Sequence, residues 1–222
     1  MMARDGYTGS IMVKLVGEPF IVVPCVGGIS VCGIVVRESV QQKIELAKNL
    51  MKDVRVLTIF EAENPGVNSN LTKTDLVILE ELMKNPREKI DVISKETKLS
   101  TKTVTRSIEK LQNDDAILFT LVYEPTKIED YIPHVVLTGI SGDLEIMLKK
   151  LEKEFSKNFL QVPFVTKNQI ALFLYSDNIF KMDELTQKVR ETPGVDSADL
   201  FIPKKIVFPL TNIIWIVTGI AK

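Results

Sequence analysis

One helix-sized segment limits what this chain can fold into more than any other. Between Ser100 and about Asn113, Val104, Ile108 and Leu111 recur at i, i+4 and i+7, so they share one stripe of an α-helix. Lys102, Arg106 and Lys110 recur four apart on the opposite stripe, with Thr103 and Thr105 on its flanks. Ser100 is a good N-cap, because its hydroxyl can accept from a free amide of the first turn. A helix with a packed back, a cationic front and a hydroxyl-rich N-terminus suits the DNA major groove. Taken alone, the same pattern also fits a solvated charged face on an ordinary core helix. The flanking sequence has to decide.

Upstream, Thr72 opens an earlier helix. Asp75, three residues on, makes an approximate capping box, since Asp is shorter than the preferred Glu. Leu76, Leu79, Leu82 and Met83 form its expected buried face. Asn85-Pro86 ends it, because proline disfavours a helical conformation at the residue before it. A second helix is expected after Asp91, carrying Val92, Ile93 and Ser94. Thr97-Lys98-Leu99 then reads as a tight turn before Ser100, and the segment closes through Val122 as a strand pair. Helix, short helix, tight turn, basic helix and hairpin together make a winged helix-turn-helix.

These residues resemble the DNA-binding domain of the Lrp/AsnC (feast/famine) family of transcription regulators. The matching features are Leu71-x-x-x-Asp75 with Ile78-Leu79 and Leu82, then Leu99-Ser100, then Val104-x-Arg106-x-Ile108-x-x-Leu111, then Ile117. The family usually has glycine before the Leu-Ser pair, where a left-handed backbone is convenient, and this chain has Lys98.

The 222 residues, 45% apolar and 26% charged, suffice for two or three small folding units with real cores. Residues 1–66 read as a β-hairpin-α-β segment: a polar tail from Met1 to Gly9, a strand from Ser10 to Val16, a hairpin around Gly27-Gly28, a helix from Ser39 and a strand from Val54 to Glu61. Residues 67–127 hold the winged helix-turn-helix, reached through the linker Ala62 to Asn70. Residues 128–222 read as βαββαβ, the ferredoxin-like order, with Ile213 to Thr218 as a further strand. This resembles the oligomerisation and effector domain of the same family, down to Pro193-Gly194-Val195 before the last ferredoxin-like strand. The whole is an α+β chain.

The pattern Phe20-x-x-Val23-Pro24-x-Val26 recurs as Phe159-x-x-Val162-Pro163-x-Val165, so the N-terminal segment reads as half of the C-terminal fold. A half unit leaves a sheet edge or face to be covered by the C-terminal domain or by another subunit.

The formal net charge of −1 gives no global attraction to nucleic acid, so affinity has to come from local patches or several subunits. Two cysteines and no signal-peptide pattern fit a cytoplasmic protein, and no apolar run reaches the roughly 20 residues of a membrane span. With one histidine, His134, no multi-histidine metal site forms, and a packing or interface role is expected for it. Cys25 and Cys32 read as buried hydrophobes, with Cys25 opposite Ser30. No phosphate loop, catalytic grouping or cofactor is expected.

The resemblance implies a sequence-specific DNA-binding regulator acting on double-stranded DNA as a homodimer or larger. Lys102, Arg106 and Lys110 would face the groove or phosphates, and Ser100, Thr101 and Thr103 would add contacts at the helix N-terminus. Where the family commonly has glycine and aspartate at the C-terminal hairpin, this chain reads Thr166-Lys167-Asn168-Gln169, so no effector residues carry over and no amino-acid effector is expected. Two rival readings are an assembly module whose helix-turn-helix binds protein, and an enzyme like the haem-biosynthesis decarboxylases of this scaffold. The enzyme would need a His- and Arg-lined pocket that one histidine does not supply.

Overall fold

The computed structural model describes residues 2–4, 16–36, 39–50, 59, 61, 70–114, 116, 117, 119 and 123–208. They fall into two compact units, one made of Met1–Glu63 with Thr120–Phe208, the other containing Asn64–Phe119. The strands expected from Ser10 to Val16, from Val54 to Glu61 and from Ile213 to Thr218 lie wholly or mostly outside the described residues, as does the hairpin through Val122.

The N-terminal segment begins with a strand where a loose tail was expected. Met2–Arg4 (β1) pairs antiparallel with Ile29–Val35 (β3), which also pairs with Glu18–Pro24 (β2), giving the order β1-β3-β2. Backbone pairing decides here, because β1 closes an edge of β3 that would otherwise stay open. The turn uses three residues, Val26–Gly28, with Gly27 and Gly28 at φ +81° and +76°, a region glycine enters at no steric cost. That third residue moves the register by one: Ser30 faces Pro24 rather than Cys25, and Cys32 faces Val22. Both thiols are buried and uncrosslinked, and burial raises both, Cys25 to about 11. Helix α1 (Val40–Leu50) buries Ala47 against Val16, with Ile34, Leu46, Leu50 and Ile59 packed around them.

The open edge of β2 finds its partner far along the chain. The Val22 amide donates to the Val207 carbonyl at 2.8 Å and the Val207 amide donates back at 2.9 Å. Val26 donates to Ile202 and Lys204 donates to Pro24, both at 2.8 Å. Residues 202–207 thus complete the N-terminal sheet from the C-terminal side.

In the second unit, α2 (Lys73–Lys84), α3 (Ile90–Thr97) and α4 (Thr101–Asn113) pack around Ile78, Leu82, Ile93 and Val104, with Leu99 and Ile108 at the margin. The capping box is complete: the Asp75 amide donates to Thr72 Oγ1 at 3.2 Å and the Thr72 amide donates to Asp75 Oδ2 at 2.8 Å. The buried stripe of α2 is Asp75, Ile78 and Leu82. It is turned away from the expected Leu76, Leu79 and Met83, which are half-buried. The cause is Asp75, drawn inward by α4. Ser107 Oγ donates to its Oδ1 at 2.5 Å, and Lys110 Nζ donates to its Oδ2 at 2.7 Å. Burial pushes this carboxyl up, but the bonds from Lys110, Ser107 and Thr72 outweigh it and hold the group well below the usual carboxylate range.

Helix α3 starts at Ile90, slightly before the expected position, because the Lys89 carbonyl accepts from the amides of both Val92 and Ile93 at 3.0 Å. It ends in a Schellman turn: Leu99 N donates to Ser94 O at 3.1 Å and Lys98 N to Lys95 O at 3.3 Å. This requires Lys98 at φ +58°, ψ +27°, where a non-glycine residue is roughly 1 kcal/mol worse than glycine. The tight turn forms with lysine in the strained position.

The C-terminal domain is β4 (Ile132–Ile140), α5 (Leu144–Phe155), β5 (Phe164–Val165), β6 (Gln169–Ser176), α6 (Ile179–Glu191) and β7 (Val195–Phe201). The sheet is antiparallel in the order β5-β6-β4-β7, the ferredoxin-like arrangement. Val136, Ile140, Ile170, Leu172, Leu174 and Ala198 form the core with Met147, Leu151 and Phe155 of α5 and Val189 of α6. Leu144 and Leu148 of the same helix sit at the core margin. Gly194 turns the chain into β7 at φ +100°, and a Cβ there would lie 2.4 Å from the Met147 methyl. His134 is fully buried on β4; its Nδ1 lies 3.0 Å from the Ile132 carbonyl and its Nε2 has no partner among the described residues. Burial lowers its pKa, against the opposing pull of the Ile132 carbonyl.

Asp75 and His134, both buried and titratable, make stability depend on pH. Asp75→Ala strands Ser107 and Lys110, and should destabilise the helical unit by about 3 kcal/mol in denaturant titration. The folded carboxyl lies below its unfolded value of about 3.9, so its stabilisation is complete above that value and lost as pH falls towards the folded one. Asp75→Asn should therefore flatten the acid limb below about pH 4; an unchanged limb would remove Asp75 as its origin. His134 is kept neutral by the fold, so stability is full above its unfolded value near 6.5 and declines as pH falls below it. Lowering pH from about 7.5 to 5.5 should cost the parent up to about 1.4 kcal/mol, and His134→Gln should show no such step.

Candidate nucleic-acid interface

The exposed surface of α4 follows from its caps and its buried stripe. Val104, Ser107 and Leu111 face inward, with Ile108 half-buried, which leaves Lys102 and Arg106 exposed on the other side. Neither cation meets a carboxylate within ion-pair distance among the described residues. Ser100 caps the helix by accepting from the Thr103 amide at 3.1 Å, and its hydroxyl lies 2.8 Å from Thr103 Oγ1. Thr105 Oγ1 donates back to the Thr101 carbonyl at 3.0 Å. Ser100, Thr101 and Thr103 are all exposed, and the first turn of any helix leaves amides without intrahelical partners. Hydroxyls, free amides and two unpaired cations therefore share one end and one side of a rigid helix.

Lys110 departs from the expected row. A four-residue step advances the helix by about 40°, so two steps carry Lys110 about 80° round from Lys102, towards Ser107. There its ammonium donates to Asp75 Oδ2 at 2.7 Å and to the Asn70 carbonyl at 2.6 Å. It closes the seam between α2 and α4 instead of standing beside Lys102 and Arg106.

Pattern reading along α4 alone passed over cations placed by α3. Lys95 and Lys98 are exposed near the turn that leads into α4, and Arg87 and Lys89 are exposed before α3. None forms an ion pair among the described residues. Their charge was visible in the sequence; their placement needed the turn geometry.

Elsewhere the chemistry is sparse. Among the described residues no group of His, Cys, Asp and Glu is arranged to hold a metal, and no helix is long and apolar enough to cross a membrane. At the C-terminal hairpin, Thr166 and Gln169 bond to each other, and Lys167 pairs with Glu61 at 3.2 Å.

Comparison with known proteins agrees with this geometry. Residues 71–117 match the model of a family described as winged helix-turn-helix DNA-binding. The HTH-type transcriptional regulator LysM of Saccharolobus solfataricus is 30% identical over 132 residues, covering 58% of this chain and 89% of that protein. Among solved structures, Escherichia coli AsnC gives a TM-score of 0.40 at 16% identity, covering 63% of this chain and 93% of its own. Bacillus subtilis LrpC gives 0.39 at 19% identity, covering 63% of this chain and 96% of its own. The sequence match carries the assignment: the chain belongs to the Lrp/AsnC family of DNA-binding transcription regulators.

Proposed function

We propose that this regulator binds double-stranded DNA sequence-specifically, with α4 in the major groove, and that it acts as a homodimer or larger assembly. The observation that carries the DNA-facing assignment is the outward side of α4, where Lys102 and Arg106 stand exposed and without ion-pair partners among the described residues. Arg106, near the middle of the helix, is suited to a bidentate contact with a guanine edge. Lys102 and the exposed Ser100, Thr101 and Thr103 fit phosphate contacts at the helix N-terminus. Lys110 belongs to the frame of the domain, held by Asp75. No effector-binding residues are assigned.

Assembly is supported by the C-terminal sheet. The face of β4 and β6 away from the helices carries Val135, Ala171 and Phe173, all half-buried, beside Phe164 at 42% exposure. An apolar sheet face suits burial against a second subunit. Two linked heads would also raise the affinity of a nearly neutral chain through effective concentration.

Arg106→Ala should cost about 1–3 kcal/mol of binding to a selected operator while affecting unrelated DNA much less. Lys110→Met should lower stability and leave the slope of log affinity against log salt as in the parent. A slope smaller by about 1 would instead put Lys110 on a phosphate. In light scattering, the particle mass should be a multiple of the 25.0 kDa chain. A monomer at micromolar concentration that still binds DNA tightly would remove the assembly reading.

A further inference from the structure

The turn between α3 and α4 holds a residue that local backbone physics does not favour. Lys98 sits at φ +58°, one of two non-glycine residues with positive φ among those described. Glycine occupies this conformation without strain. An observed outlier of this kind motivates a search for function. Lys98 is exposed, and its ammonium meets no partner among the described residues. Cations on several other helices are neutralised within about one turn: Lys84 by Glu81, Lys149 by Glu145 and Lys188 by Glu184. Lys95, Lys98, Lys102 and Arg106 run from α3 through the turn to the outward side of α4, all exposed and none ion-paired among the described residues.

We propose that Lys98 is a DNA-backbone contact, a lysine retained in a left-handed position because its ammonium meets a phosphate beside the groove entered by α4. This rests on the DNA-binding reading above and adds a residue from the turn to it. The contact carries no base information. It strengthens binding to every sequence alike and positions the duplex against α4.

The test uses the full-length chain, a duplex of about 40 base pairs of random sequence, and fluorescence anisotropy across a salt series. One released counterion makes affinity scale as about the −0.9 power of salt, so removing one phosphate contact should weaken binding about eightfold at 0.1 M salt. Lys98→Gly should melt about 1–4 °C above the parent, because the strain is relieved. It should bind about eightfold more weakly, with the salt slope smaller by about 0.9. Lys98→Met should show the same binding loss without the gain in melting temperature, and Lys98→Arg should bind as the parent does. Parent-like slopes in both the Gly and Met variants would overturn the proposal. So would a loss confined to Lys98→Gly, which would be an effect of turn flexibility. A parent chain with no salt-dependent DNA binding would instead defeat the functional reading on which the proposal stands.

Discussion

Asp75 has a side chain only 4% exposed, and yet the fold favours its ionised form because four donors converge on it. They are the amide and hydroxyl of Thr72, the hydroxyl of Ser107 and the ammonium of Lys110. Burial opposes the charge, and the combined hydrogen bonds offset that cost. Thr72 begins α2, whereas Ser107 and Lys110 lie on successive turns of α4, so the carboxylate fixes the rotation of one helix against the other. The apolar residues Ile78, Leu82, Ile93 and Val104 supply non-directional attraction between the same helices. The carboxylate supplies the direction, and with it the angle at which Lys102 and Arg106 leave the domain.

A chain with formal net charge −1 has to localise any attraction for a polyanion. Pairing removes some of the cations from that attraction. Lys149 and Lys188 on the C-terminal helices lie beside glutamates one turn away, as Lys181 lies beside Asp177. Exposed pairs of this kind add little stability, but they cancel charge. The second unit pairs Asp75 with Lys110 and Glu81 with Lys84, and leaves Lys95, Lys98, Lys102 and Arg106 without an ion pair among the described residues. The result is a nearly neutral protein with a row of cations along the helix-turn-helix that form no ion pair among the described residues.

The parts of this structure that were legible in the sequence are those fixed by short-range rules. Ser100 and the complete Thr72–Asp75 box mark helix starts because a cap needs only neighbours within one turn. The order of elements from Ile132 to Phe201 was legible for the same reason, since helical and strand periods alternate cleanly there. What stayed hidden depends on residues far apart. The inward turn of Asp75 depends on Ser107 and Lys110, and the same contact removes Lys110 from the outward row. Met2–Arg4 reads as a tail until β3 is known to offer it an edge. Along α4, Lys102 and Arg106 stand where periodicity put them, because nothing outside the helix competes for them among the described residues.

Residues 195–207 serve two sheets in succession: β7 as far as Phe201, then the outer partner of β2. Val22 and Val207 are nearly the whole described chain apart, so the N-terminal sheet is completed only after most of the described chain has been made. Until residues 202–207 are made, β2 carries an unpaired edge, the kind of surface that recruits strands from other molecules. Such a long-range closure raises contact order and slows folding. The same wiring also has a mechanical side. The N-terminal sheet cannot release its outer edge without disturbing the strand that runs on directly from β7. Glu18–Pro24 and residues 202–207 therefore close as one clasp, with the buried Pro203 at the crossing.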